Sequence, residues 1–230
     1  MELSEAREHG TSQVLSVLEE TSESLRHLGF QTRPHSEASR TQFQQLPDEI
    51  QKQITRQSLD FLDLVKDFQA TKSKKSEVSE ERRLVALALQ KFRLKLKVEM
   101  LQPEDNDIVE IYDSQGRQVF RNFEFFRQCS YDLLTLQTFP WEVLYERPSI
   151  VTERLLEAGK RILFGGEVLV NPENQHTLKE RYSGATRVFR ISTRWAAPLY
   201  NEHDVIDGFI HFVRSEIISE GDDASKVQHL

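Results

Sequence analysis

The sequence predicts an α+β protein: a helical region followed by an antiparallel sheet with helices on one face. Three observations carry this. Apolar residues before position 101 recur at helical spacing. Between Arg181 and Ile218 they instead alternate, in two runs, Thr186–Trp195 and Val205–Arg214. Between these regions, Gln102–Asp107 (QPEDND) is a polar break and a candidate domain boundary. The expected division is a helical region at 1–101, a sheet domain at 102–218 and a disordered tail at 219–230.

Val14, Leu18, Thr21, Leu25 and Leu28 keep a 4-3-4-3 spacing, a heptad seam with one polar member. Gly29 stops that helix, and Gln31–Ser39, with Pro34, reads as a loop. The next helix starts near Ser39 or Pro47. Ile50, Ile54, Phe61, Val65 and Phe68 share one of its faces, and Gln51, Gln53, Arg56 and Gln57 the other. The lysine- and serine-rich Thr71–Ser79 reads as a hinge. Glu80–Leu101 carries two patterns. Val85, Leu89, Phe92 and Leu96 fit one helical face. Phe92, Leu94, Leu96, Val98 and Met100 also alternate with charged residues, as in a strand. A helix that turns extended towards its end accommodates both.

Ile108–Tyr112 and Gln118–Arg121 read as a hairpin around the turn Asp113-Ser114-Gln115-Gly116. Phe123–Leu136 is apolar at helical spacing. Ile150–Leu163 is an amphipathic helix with Ile150, Leu155 and Leu156 inward, ended by Gly165-Gly166. Glu167–Val170 and His176–Tyr182 are further strands, and Ser183-Gly184 a reversal. In the last two strands, Phe189, Ile191, Thr193 and Trp195 alternate with Arg190, Ser192 and Arg194. Ile210 and Phe212 fall on one face, Phe209, His211 and Val213 on the other. Pro198, Asn201 and Asp204 suit the turn between them. The end of the chain (SEGDDASKVQHL) is small, polar and charged.

Strand, strand, short helices, then three strands closing one antiparallel sheet: over Asp107–Ile218 this order resembles a PAS (Per-Arnt-Sim) sensor domain. Asn122 after the second strand, Gly184 in the hairpin, Pro198-Leu199 and Gly208 carry the likeness. The resemblance implies a five-stranded sheet with helices on one face. It implies a domain that senses a ligand, cofactor or partner and signals through flanking helices, usually as a dimer. The family's asparagine-cysteine-arginine flavin motif is absent around Cys129, and Val151–Leu163 lacks the histidine of haem-binding relatives, so no cofactor is expected.

Composition narrows the partners. A net charge of -7 disfavours general nucleic-acid binding, which needs basic charge. The single cysteine, Cys129, excludes an intrachain disulfide and fits a reducing, cytoplasmic setting. The apolar run Leu84–Leu89 is too short to cross a bilayer, and the N-terminus has no apolar signal segment. Of nine glycines, none stands in a phosphate-binding spacing, and no G-x-S-x-G elbow occurs. Glu202-His203-Asp204 lies in a loop, and three successive residues do not converge on one metal ion. Arg187, Arg190 and Arg194 read as a salt-bridged surface, and His176 and His211 as packed or solvated.

These readings give a regulatory sensor or adaptor, not an enzyme, with a homodimer partner, a downstream signalling protein and a small-molecule ligand. No nucleic acid, membrane or metal is expected. The expected pocket uses Phe125, Trp141, Phe189, Ile191, Trp195, Ile210 and Phe212. The expected interface packs Val85, Leu89, Phe92 and Leu96 of Glu80–Leu101 on Val188, Phe209 and Val213 of the outer sheet face, of the same chain or of a partner. Two alternatives are a ligand-free interaction module and a small α+β enzyme of cone-shaped fold. A paired acid and histidine in the pocket would favour the enzyme.

Overall fold

The structure, a computed structural model, describes residues 2–71, 79–98, 103–104, 106–173, 175–181 and 185–222. Helix α1 (Glu2–His27) ends where Gly29 takes a positive φ, and its heptad seam is buried at Val14, Leu18, Thr21 and Leu25, with Leu28 half-buried just past the helix. The seam is not on a free surface: Val14, Leu18 and Leu25 share one core with Phe61, Val65 and Phe68 of α3 (Asp48–Thr71). A short helix, α2 (Glu37–Gln45), starts close to the first of the two expected sites, near Ser39, because Ser36 caps it through the Ser39 amide, and α3 begins separately after Pro47. Helix α4 (Glu80–Lys91) starts at the Ser79 cap, and β1 (Lys95–Leu96) follows it, so the chain does turn extended there. The hinge residues 72–78, and Glu99 to Leu101, lie outside the described residues.

The hairpin forms as expected, with β2 (Asp107–Asp113) and β3 (Gln118–Arg121). Asp113 Oδ1 accepts from the amides of Gln115 and Arg117, which closes the turn. The apolar stretch Phe123–Leu136 is two helices instead of one: α5 (Phe123–Gln128) and α6 (Leu133–Thr138). Asp132 breaks the stretch by capping α6 through the Thr135 amide at 2.9 Å. Then come α7 (Trp141–Leu144), β4 (Tyr145–Glu146), α8 (Ser149–Gly165), β5 (Leu169–Val170) and β6 (His176–Glu180). The chain closes with two long strands, β7 (Ala185–Tyr200) and β8 (Ile206–Asp222).

Both last strands exceed the sequence expectation. Pro198 lies inside β7 opposite Phe209, and the turn is built by Asn201, whose side chain accepts from the amides of His203 and Val205. Ser219–Asp222, expected in a disordered tail, pair with Ala185–Val188; residues 223–230 lie outside the described residues. The sheet is antiparallel, with β3-β2-β8-β7-β6-β4 in order and β1 and β5 on β7. Among the described residues eight strands form instead of five, but three of them (β1, β4 and β5) are only two residues long. The element order remains strand, strand, helices, three closing strands, and the fold is PAS-like.

Asn122 is the joint between the halves. It is fully buried, and its Oδ1 accepts from the Val109 amide at 2.9 Å. Its Nδ2 donates to Glu81 Oε2 of α4 at 2.9 Å and to the Asp107 carbonyl at 2.8 Å. One continuous core joins the N-terminal helices to the sheet: Val109, Ile111, Ala197, Leu199, Ile210 and Phe212 are all 0% exposed within it.

Candidate functional site

Phe209, His211, Val213 and Ser215 of β8 line a cavity of about 120 Å³ on the inner face of the sheet. Alternation then puts Ile210 and Phe212 on the outer face. Strand β2 sends Ile108, Glu110 and Tyr112 inward, and β6 sends His176 and Leu178. Opposite the sheet stand Trp141 of α7 and Leu155, Ala158, Gly159 and Ile162 of α8, with Phe125 of α5. The volume approaches the roughly 150 Å³ of an engineered apolar cavity that holds benzene.

Strand β7 changes phase along its length. Phe189, Ile191 and Thr193 line the cavity, and so does Ala196, while Trp195 does not. The register explains this: Thr193 stands opposite Val213, but Trp195 stands opposite Phe212, so Arg194 is an extra residue. Such a bulge moves every later side chain to the other face. Trp195 therefore stacks on Phe212 in the outer core, with ring centroids 3.5 Å apart.

Of the seven expected pocket residues, Phe125, Trp141, Phe189 and Ile191 line the cavity. Trp195, Ile210 and Phe212 do not; they belong to the core shared with the N-terminal helices. Of the expected interface, Val85 is buried in that core, with Leu89, Phe92 and Leu96 packed against it. Their sheet-side partners need correction. Phe209 and Val213 point into the cavity, and Val188 sits half-buried at the β6 edge opposite Lys179. Both faces of β8 are apolar, so the pattern names two faces without saying which one the helices cover. One other expectation shifts. In α8, Ile150 is 50% and Leu156 44% exposed, and Val151 and Ile162 are the buried residues. In α5, Phe123 stacks on Phe30 and Phe126 approaches Phe61, so only Phe125 reaches the cavity.

The polar part of the cavity was missed by the sequence reading. Glu110 Oε2 lies 3.2 Å from His211 Nδ1 and accepts from the Tyr112 hydroxyl at 3.1 Å. Glu110 Oε1 accepts from Gln118 Nε2 at 2.5 Å. A carboxylate only accepts, so His211 Nδ1 donates. His211 Nε2 lies 3.1 Å from the Thr193 hydroxyl. Burial works to raise the Glu110 carboxyl, but the His211 hydrogen bond and charge, with Arg121 and Tyr112, together hold it below its ordinary value. Burial, then Glu110, pushes the Tyr112 phenol well up. A strand residue such as Glu110 reads as solvent-facing in a pattern, which is why it gave no signal.

Arg147 also lines the cavity, its guanidinium 4.9 Å from the Trp141 ring centroid and 5.7 Å from that of Tyr145. Burial lowers its pKa. Cys129 lines the wall, and burial, with Glu180 adding to it, pushes its thiol up to about 12. Among the described residues, no three His, Cys, Asp or Glu side chains gather to hold a metal ion, and no helix is long and apolar enough to cross a membrane. The basic surface is paired: Arg190 meets Glu216 at 2.8 Å, Arg187 meets Glu220 at 2.7 Å and Arg194 meets Glu104 at 2.5 Å.

No family model matches the chain, and no curated protein matches it. Similar solved structures include a domain of a histidine kinase from Haloarcula marismortui, described as light and redox sensing. It is 17% identical with a TM-score of 0.32, and the match covers 50% of this chain and 90% of that one. A sensory box sensor histidine kinase from Vibrio cholerae is 14% identical with a TM-score of 0.28, covering 60% and 93%. An RNA-binding Light-Oxygen-Voltage receptor is 10% identical with a TM-score of 0.33, covering 98% and 62%.

Proposed function

We propose that this chain is a signalling sensor or adaptor whose PAS-like half, 102–218, binds a small ligand in the cavity. Its helical part, 1–101, carries the signal onward to a downstream protein. One observation supports this above the others. The same two strands line the cavity with one face and hold the N-terminal helices with the other: Phe209, His211 and Val213 against Ile210, Phe212 and Trp195. A ligand that shifts β7 or β8 must then strain a packed helical core, because packed cores switch between arrangements instead of deforming freely. The Asn122–Glu81 hydrogen bond offers a second link from β2 to α4.

The Glu110–His211 pair is the feature that would favour a small enzyme instead. Its hydrogen bonds weigh against that reading. Glu110 accepts from Gln118 and Tyr112 and meets His211, and the second ring nitrogen of His211 meets Thr193, so the pair is engaged within the wall. To act as a general base it would have to exchange one of these contacts for the substrate or use the acceptor position left on Glu110 Oε1. The pair instead ties β2, β8 and β7 together across the cavity wall. The heptad seam of α1 is not left for a second copy of the chain, since it packs against α3 within the chain. Arg187, Arg190 and Arg194, the basic residues that could have met nucleic acid, are ion-paired with Glu220, Glu216 and Glu104.

Native mass spectrometry of the purified full chain, set against its denatured mass, tests the ligand. A retained mass of a small organic molecule supports the reading. Protein that carries nothing, and whose melting temperature no small aromatic or aliphatic probe moves, contradicts it.

A further inference from the structure

Three polar atoms of the cavity wall are buried without a hydrogen-bond partner: Arg147 Nε, Gln128 Oε1 and Ser215 Oγ. Native interiors rarely leave such groups unmet, because each loses its water and gains nothing in return. Arg147 differs from the other charged groups nearby. Glu110 has Gln118, Tyr112 and His211, and Arg121 donates to Gln118 and to the Leu136 carbonyl. Among the described residues, no carboxylate lies within ion-pair distance of Arg147, and its guanidinium is held only by the faces of Trp141 and Tyr145. A contact with the ring faces supplies no acceptor, so the N–H donors of the guanidinium remain to be satisfied otherwise.

We propose that the cavity takes a small organic monoacid, with its carboxylate on Arg147 and its apolar body among Trp141, Phe125, Phe189 and Phe209. This rests on the reading that the cavity is the ligand site, and names the ligand class. A carboxylate supplies the acceptor that Arg147 Nε lacks, at a contact distance that Glu110 and Glu142, which act on Arg147 only from further away, do not reach. One arginine in a cavity of about 120 Å³ matches a single negative charge and a body the size of one ring or a short chain. A phosphate ester, with more charge and more oxygens, calls for more donors than this wall offers. Gln128 Oε1 and Ser215 Oγ remain for a hydroxyl or amine donor on the ligand body.

The test uses the full chain at pH 7 and three probes of nearly equal shape: benzoate, benzamide and toluene. Calorimetry reads binding, and the fluorescence of Trp141, which lines the cavity, follows it. The expected result is benzoate binding about tenfold or more tighter than benzamide. In Arg147→Gln that preference should vanish. Arg147→Lys, which keeps the charge, should retain part of it. The wild-type comparison of benzoate with benzamide needs no variant, so it stands even where Arg147→Gln fails to fold. Benzamide or toluene binding as tightly as benzoate overturns the acid class while leaving the cavity reading intact. A benzoate preference that survives Arg147→Gln overturns the role of Arg147. If none of the three probes binds, the acid class and the cavity reading fall together.

Discussion

Phe209 and Phe212 stand three residues apart on β8 and have opposite surroundings, so truncating each separates the two faces. Phe212 is 0% exposed, and its ring centroid lies 3.5 Å from that of Trp195. Phe212→Ala removes a filled volume from a core that cannot collapse around it, at a cost of about 3–5 kcal/mol. For a chain of this size, each kcal/mol lowers Tm by roughly 2–4 °C, so the drop is roughly 6–20 °C. Phe209 is half-buried, stacked on Tyr112 at 4.6 Å and facing an existing cavity. Phe209→Ala gives up less apolar burial and one aromatic pair, about 1–2 kcal/mol. Urea unfolding of both variants measures the difference, and hydrogen exchange locates it. Phe212→Ala should loosen α3 and α4, whereas Phe209→Ala should leave them protected and enlarge the cavity. Equal costs, or faster exchange in α4 for Phe209→Ala alone, would refute the assignment of faces.

Other outcomes follow from single contacts. Glu110 is held below its ordinary carboxylate value, so its contribution to stability is present above about 4.5 and is lost as pH falls through the lower folded value. The unfolding free energies of wild type and Glu110→Gln should therefore differ at pH 7 and converge in acid; a constant difference would contradict the pairing. Asn122→Ala strips the Val109 amide and Glu81 of buried partners and should cost about 3 kcal/mol or more by denaturant titration. A loss under 1 kcal/mol would contradict its role as the joint. A Cβ on Gly208 would clash with the Tyr112 carbonyl oxygen, so Gly208→Ala should yield little folded protein, and a near-native melting curve would count against the β2–β8 register. Because burial raises the Cys129 thiol to about 12, iodoacetamide at pH 7.5 should modify it far more slowly than a free cysteine, by mass spectrometry.

The order of the main elements was legible because periodicity and turn chemistry report local structure, while the ends of the last two strands and the split of Phe123–Leu136 were not. The hairpin around Asp113–Gly116 and the strand Gln118–Arg121 stand where the pattern put them. What escaped was non-local. Nothing in Phe189–Trp195 marks Arg194 as a bulge, since every residue there fits strict alternation. The sign of each β8 face depends on which helices arrive, and that is decided by packing far away in sequence. Glu110, inside an apolar strand, gained meaning only when Gln118, Tyr112 and His211 met it. Candidate-site residues were thus legible as apolar positions, and their grouping was not.

Hydrogen exchange of the full chain, with and without a small molecule bound in the cavity, tests the central claim most directly. If the sheet couples the cavity to the helices, Glu80–Lys91 and the buried half of Asp48–Thr71 should change protection along with β7 and β8. A change confined to β2, α7, α8 and the cavity-facing strands, with the N-terminal helices untouched, would contradict it.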